Sequence, residues 1–230
     1  MTRNMVSTKT TSEQVNATPN GQKTRSLATQ TALMEAAESL IAEHGVHNVS
    51  IKDIVLKAEQ KNPSVLQYHF KNLQGLIDAI HQRRNQQTHV KRAELLAEKQ
   101  SSKPAPTLRN LCELMVYPTF LLAKADKQYR AYVAAFSLEI ALTDESAYAL
   151  VSHSGGGGES GQRLGKLLRA ALPDLDDATY TARMDLAVRM CSAAMGNHMR
   201  QKGAMSGPKA DFFINNLVDA LAGLLAAKPR

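Results

Sequence analysis

The sequence predicts an all-α protein: a small N-terminal head built on a helix-turn-helix, followed by a larger helical body. Three observations carry that prediction. Two short helical patterns joined by a tight polar turn occupy residues 50–76. Apolar residues recur at helical spacing almost throughout the rest of the chain. The segment Ser101-Ser102-Lys103-Pro104-Ala105-Pro106 breaks that pattern, as a boundary between two units would.

Taken in order, residues 1–24 are rich in Thr, Asn, Gln and Ser and read as a disordered arm. Its Arg3, Lys9 and Lys23, with Arg25 just beyond, offer cations to DNA. A first helix is expected over 26–44, burying Leu33, Ala37, Leu40 and Ile41. Ser50 is a good N-cap for a second helix that carries Ile51, Ile54 and Val55 on one apolar face. Glu59, Gln60 and Lys61 form the turn. Asn62 caps a third helix with Pro63 in its first turn, where a missing N–H costs nothing. Asn72 caps a long fourth helix through Leu76, Ile77, Ile80 and Leu95. Head, connecting helix and body are therefore expected at 25–72, 73–103 and 104–230. Within the body, helices are expected at 107–123, 126–141, 144–151, 160–171, 176–201 and 209–227, with Pro118 kinking the first. Residues 154–161, Ser-Gly-Gly-Gly-Gly-Glu-Ser-Gly, read as a flexible connector. They are not a phosphate-binding loop, because Leu167 follows Gly165-Lys166 where a hydroxyl residue is required.

The third helix is the chemically pointed element. It can bury Leu66 and Phe70 while presenting Ser64, Gln67, Tyr68 and His69 on its other side. Hydroxyl, amide and imidazole groups on one helical face suit base edges and phosphates in a major groove. Ser50 and Lys52, at a helix start, suit a phosphate. Lys61, Tyr68, His69 and Lys71 are expected to contact phosphates; Asn62, Ser64 and Gln67 lie nearer the bases, and Pro63 is expected at the DNA with them. Gln67 could pair bidentately with adenine.

These residues resemble the TetR/AcrR (tetracycline-repressor-like) family of transcriptional regulators. The likeness covers about residues 30–80: Ala36-Ala37-Glu38-Ser39-Leu40-Ile41-Ala42-Glu43-His44-Gly45, then Val49-Ser50-Ile51-Lys52-Asp53-Ile54, then Tyr68-His69-Phe70-Lys71-Asn72-Leu73-Gln74-Gly75-Leu76. The chain departs from the family's pattern at the turn 58–62, at Gln67-Tyr68 and at Leu73. The resemblance implies a homodimer that grips a palindromic DNA operator. It also implies a small molecule, bound in the helical body, that releases the DNA.

Composition agrees. The 230-residue chain carries a net charge of +7 and would be drawn to polyanions. Residues 46–92 hold Lys52, Lys57, Lys61, Lys71, Arg83, Arg84, Lys91 and Arg92 against Asp53, Glu59 and Asp78. No apolar run approaches the roughly 18 residues that span a membrane, and 1–22 lacks a signal-peptide core. Two distant cysteines, Cys112 and Cys191, fit a reduced cytoplasmic protein.

In the body, Met115, Phe120, Tyr129, Tyr132, Phe136, Met184 and Met190 could line a deformable apolar pocket. Such a pocket would suit a small hydrophobic or weakly acidic ligand. On the last two helices Met195, His198, Phe213, Leu217, Leu221 and Leu224 form a broad apolar face, which the resemblance implies is a dimer interface of four helices. No catalytic motif, metal-ligand spacing or cofactor fingerprint is found; Ser206-Gly207-Pro208-Lys209 matches S-x-x-K by letter only. The competing reading is a helical adaptor whose helix-turn-helix no longer reads DNA.

Overall fold

A computed structural model of the protein describes residues 19–101, 105–153 and 158–228. The expected arm at 1–18, part of the boundary segment (102–104) and part of the glycine-rich connector (154–157) lie outside the described residues. Among the described residues every regular element is a helix. The head comprises α1 (Pro19–His44), a single 3-10 turn (Val46–Asn48), α2 (Ile51–Lys57) and α3 (Ser64–Phe70). A long α4 (Leu73–Ser101) leads into the body: α5 (Leu108–Ala125), α6 (Lys127–Leu142), α7 (Ala147–His153), α8 (Gly158–Ala170), α9 (Asp177–Arg200) and α10 (Gly207–Ala226).

Two expectations are corrected. Residues 19–24 are not part of a loose arm but begin α1, with Pro19, which has no N–H to leave orphaned, at its start. Residues 158–161 are helical rather than connector, forming the first turn of α8.

The head folds around Leu33, Ala37 and Ile41 of α1, Ile54 and Val55 of α2, Leu66 and Phe70 of α3, and Leu76, Ile77 and Ile80 of α4. Local signals fix its corners. Ser50 and Asp53 form a reciprocal capping box: Asp53 N–H donates to Ser50 Oγ at 3.2 Å, and Ser50 N–H to Asp53 Oδ2 at 3.2 Å. Asn72 Oδ1 accepts the Gly75 N–H at 2.8 Å and opens α4. The turn between α2 and α3 is strained, because Glu59 takes a left-handed φ of 56°. Replacing exposed Glu59 with glycine is expected to stabilise the protein by about 0.5–1 kcal/mol, read from denaturant melts. A loss of stability would show that the Glu59 side chain makes a compensating contact.

The body packs α9 against α6, α7 and α10, with α5 between α4 and α10. Gly196 lets α6 and α9 approach: a Cβ there would stand 2.5 Å from the Cβ of Ser137. α5 runs through Pro118 without a break. Proline leaves the carbonyl of Leu114 without its helical N–H, and the buried Arg92 donates Nε to it at 3.3 Å.

A charged pair on α9 holds two other helix ends. Arg189 donates to the carbonyls of Ala141, Thr143 and Glu145, at 3.1, 2.8 and 2.6 Å, which closes the end of α6. Asp185 accepts from Arg189 Nε at 2.7 Å, from Ser146 Oγ and from the Tyr148 N–H at the start of α7. These bonds, led by Arg189, hold the Asp185 carboxyl down at about 2. A depressed carboxylate contributes stability above its unfolded pKa of about 3.9, lost as pH falls through about 2. Arg189→Ala is expected to cost about 2–3 kcal/mol at neutral pH, with a smaller deficit near pH 2. Melts at the two pH values check this; an equal deficit at both would remove Asp185 from the account.

Candidate nucleic-acid interface

The surface of α3 sorts its residues as a recognition element requires. Leu66 and Phe70 are buried in the head, whereas Lys61, Asn62, Pro63, Ser64, Gln67, Tyr68 and Lys71 are exposed. Tyr68 is 83% exposed, an unusual position for an aromatic ring with no internal task. Its ring stands nearly perpendicular to that of His69, with the centroids 4.9 Å apart. Ser50, Lys52 and Arg25 are also exposed, on α2 and the early part of α1.

Three of these side chains are partly committed. Asn62 Oδ1 accepts the Ser64 N–H at 2.9 Å, so it caps α3, and its amide NH2 is what remains to donate. Ser50 Oγ contacts Asp53 Oδ2 at 2.6 Å, which places a carboxylate beside the expected phosphate contact. These bonds hold the Asp53 carboxyl below its ordinary range. His69 is half-buried, its Nδ1 lying 3.4 Å from the Gln30 amide on α1. Gln30 therefore orients the one histidine on α3. In sequence its only mark is spacing: it follows Ser26 by four residues and bonds it.

The local charge excess is smaller than the sequence count. Arg84 and Arg92 are buried, and Arg83 faces Glu35 at 3.5 Å. Lys52, Lys57, Lys61 and Lys71 remain exposed on the head. They are enough to offer phosphates a positive, salt-sensitive surface.

The expected ligand pocket is not an open space in this structure. Phe120, Tyr129 and Met184 are buried in the body core, with Met115, Tyr132 and Met190 packed against it. Phe136 belongs to the head's cluster instead, 4.7 Å from the His81 ring. Two phenols expected to meet ligand already face neighbours: Tyr129 Oη lies 2.6 Å from Thr88 Oγ1, and Tyr132 Oη 3.3 Å from His81 Nδ1. A surface groove of about 570 Å³ lies elsewhere, between α4 and α5, over Val90, Leu121 and Leu122. Burial pushes the thiols up, Cys112 to about 11 and Cys191 to about 12, leaving little thiolate at neutral pH.

Four of the six expected dimer residues also need correction. Met195, His198, Leu217 and Leu221 are buried within the chain's own core, and His198 stacks on Phe213 at 3.7 Å. Phe213 and Leu224 are half-buried. The outward faces of α9 and α10 carry other residues: Leu186 and Phe212, 56% and 73% exposed, among Ala182, Ala193, Ala220 and Gly223. Helical spacing reveals an apolar stripe but not which of its neighbours covers it.

No described helix is long and apolar enough to cross a membrane. No curated protein matches the chain. Among solved structures, Salmonella enterica GusR is 18% identical, with a TM-score of 0.48, covering 92% of this chain and 99% of its own. RolR, solved in complex with resorcinol, is 15% identical, with a TM-score of 0.47, covering 90% of this chain and 98% of its own. Two family models match directly. The model of bacterial regulatory proteins of the tetR family matches residues 33–80, the span of α1 to α4 that builds and orients the recognition surface. The model of the tetracyclin repressor-like C-terminal domain matches residues 113–227, half of the chain and nearly all of the body. With head and body each matched in order, the chain belongs to the tetR family of bacterial regulatory proteins.

Proposed function

We propose that this regulator is a homodimeric repressor that binds a palindromic DNA operator and leaves it when a small hydrophobic or weakly acidic molecule enters the body. The observation that carries the reading is the sorted surface of α3, with exposed Ser64, Gln67 and Tyr68 over buried Leu66 and Phe70. Gln67 and Ser64, with the free amide of Asn62, are the base-reading groups. Tyr68, Lys61, Lys71, Lys52 and Arg25 set register on phosphates. Pro63 fixes the entry of α3. His69, held by Gln30, orients Tyr68.

The head spans 19–72, beginning with α1, the connecting helix and linker 73–103, and the body 104–230. Two copies join through the outward faces of α9 and α10, around Leu186 and Phe212, where alanine and glycine let helices approach closely. A two-fold dimer sets the recognition helices about 34–36 Å apart, one turn of duplex. The effector parts the packed aromatic and methionine side chains between Phe120, Tyr129 and Met184, a site that exists only when occupied. Acting on DNA places the protein in the cytoplasm.

The test is selection from randomised duplexes followed by fluorescence anisotropy at two salt concentrations. A palindrome should be recovered, and Gln67→Ala with Tyr68→Ala should weaken binding to it at least 100-fold, as lost base and phosphate contacts together require. Weak, sequence-blind binding abolished by modest salt would overturn the reading in favour of an adaptor.

A further inference from the structure

We propose that Asp126 is the charged hold of the body on the head, beside the direct packing of α6 on α1, and that it acts through Arg84 of α4 on Glu38 of α1. The role rests on the DNA-binding reading above and adds to it the residues by which the body sets the pose of the recognition helix. Asp126 stands at the junction of α5 and α6 and uses its carboxylate twice. Oδ1 accepts the Gln128 N–H at 2.8 Å and caps α6, while Oδ2 lies 3.3 Å from Arg84 Nη1. Arg84 is fully buried and passes the hold on: its Nε and Nη2 each donate to a different Glu38 oxygen at 2.6 Å.

One planar guanidinium therefore joins three elements. A fork of fixed geometry cannot follow one partner without straining its bonds to the other. Its third side is closed by the Tyr129 ring, 5.5 Å from the guanidinium carbon. One turn along α4, Thr88 meets the Tyr129 hydroxyl. A shift of the α5–α6 junction thus pulls Arg84, and Arg84 pulls α1. Two turns before Glu38, α1 carries Gln30, which faces His69 on α3. The chain of contacts runs unbroken from the body to the DNA-facing helix.

The relay is open to disturbance from solvent. The Asp126 side chain is 45% exposed. Gln87, which shares Arg84 Nη1 at 3.0 Å, lines the α4–α5 groove that ends at Ala125. Asp126 touches no DNA in this scheme; it is a positioning residue.

The test uses two matched substitutions in the full-length protein. Asp126→Asn keeps an oxygen to cap α6 and removes the charge facing Arg84. Asp176→Asn is the control: it too caps a body helix, accepting the Thr179 N–H at 2.8 Å. Affinity for the selected duplex and for its half-site-spacing variants is measured, with hydrogen exchange of α1 amides in the free protein. Asp126→Asn should weaken operator binding at least five-fold or move the preferred spacing, and should speed α1 exchange; Asp176→Asn should do neither. Faster exchange with unchanged affinity and spacing would reduce Asp126 to a brace and overturn the role, as would identical behaviour of the two variants. If the unaltered protein selects no duplex, the DNA reading fails, and unchanged α1 exchange in Asp126→Asn would overturn the relay separately.

Discussion

Arg84→Met is expected to lower stability by about 3–5 kcal/mol at neutral pH. The side chains of Arg84 and Glu38 are 0% and 1% exposed. Removing the guanidinium leaves the Glu38 carboxylate buried among apolar groups with its main charge partner gone. Burial already pushes the Glu38 carboxyl above its ordinary value, and Arg84 is the chief group pulling it back. Without Arg84 the native state must bind a proton there. The unfolded chain releases that proton above about pH 4.3, so the deficit grows as pH rises past that value and shrinks towards pH 4. In a chain of this length the loss at pH 7 corresponds to a Tm shift on the order of 10 °C. Glu38→Leu combined with Arg84→Met should recover most of it, since removing both charges leaves nothing unpaired. Denaturant melts of the single and double variants at pH 7 and pH 4.5 check each step. A single-variant loss below about 1 kcal/mol, or one independent of pH, would mean that solvent reaches Glu38 once Arg84 is gone.

Arg84 also shows what the sequence could and could not disclose. In a linear count it is one more cation in a basic stretch that suits a phosphate-facing surface. Its partners lie 46 and 42 positions away in the chain, beyond the reach of any local pattern. Signals that act within a few residues were legible: the Ser50 and Asn72 caps, the α1 stripe of Leu33, Ala37 and Ile41, and every helix of the body. The exposed side of α3 was legible as well, because a seven-residue helix with Leu66 and Phe70 inside has only one face left. Partner choice was not. Leu217, Leu221 and Met195 have the same periodicity whether they meet their own core or a second copy, and the structure gives them to the core. Phe136 and Tyr132 look like pocket lining by composition, yet they pack where head and body meet.

Gly75→Ala is expected to damage DNA binding more than stability. Gly75 sits in the first turn of α4, and a Cβ there would stand 2.1 Å from the carbonyl oxygen of Phe70 and 3.2 Å from its carbon. The obstacle is backbone, which no rotamer change can clear. Either α4 backs away from the end of α3 or the final turn of α3 unwinds. Overpacking of this kind costs about 1–3 kcal/mol, which the head can absorb and remain folded. The recognition surface cannot absorb it, because Phe70 is the residue that anchors α3 in the core, one turn beyond Gln67. With Gln67 reading a base edge, as proposed above, its misplacement by even an ångström would break bidentate geometry, so affinity for the selected operator should fall at least 30-fold. Non-specific binding carried by Lys52, Lys57 and Lys61 should survive, because counterion release tolerates such shifts. Gly165→Ala supplies the contrast. That glycine lies inside α8 with open space around its Cβ direction, so alanine should raise stability by about 0.5–1 kcal/mol and leave DNA binding unchanged. Anisotropy against the operator and a scrambled duplex, beside melts of both variants, separates the cases. Retention of operator specificity by Gly75→Ala would show that α3 takes its angle from the α2 side of the head rather than from α4.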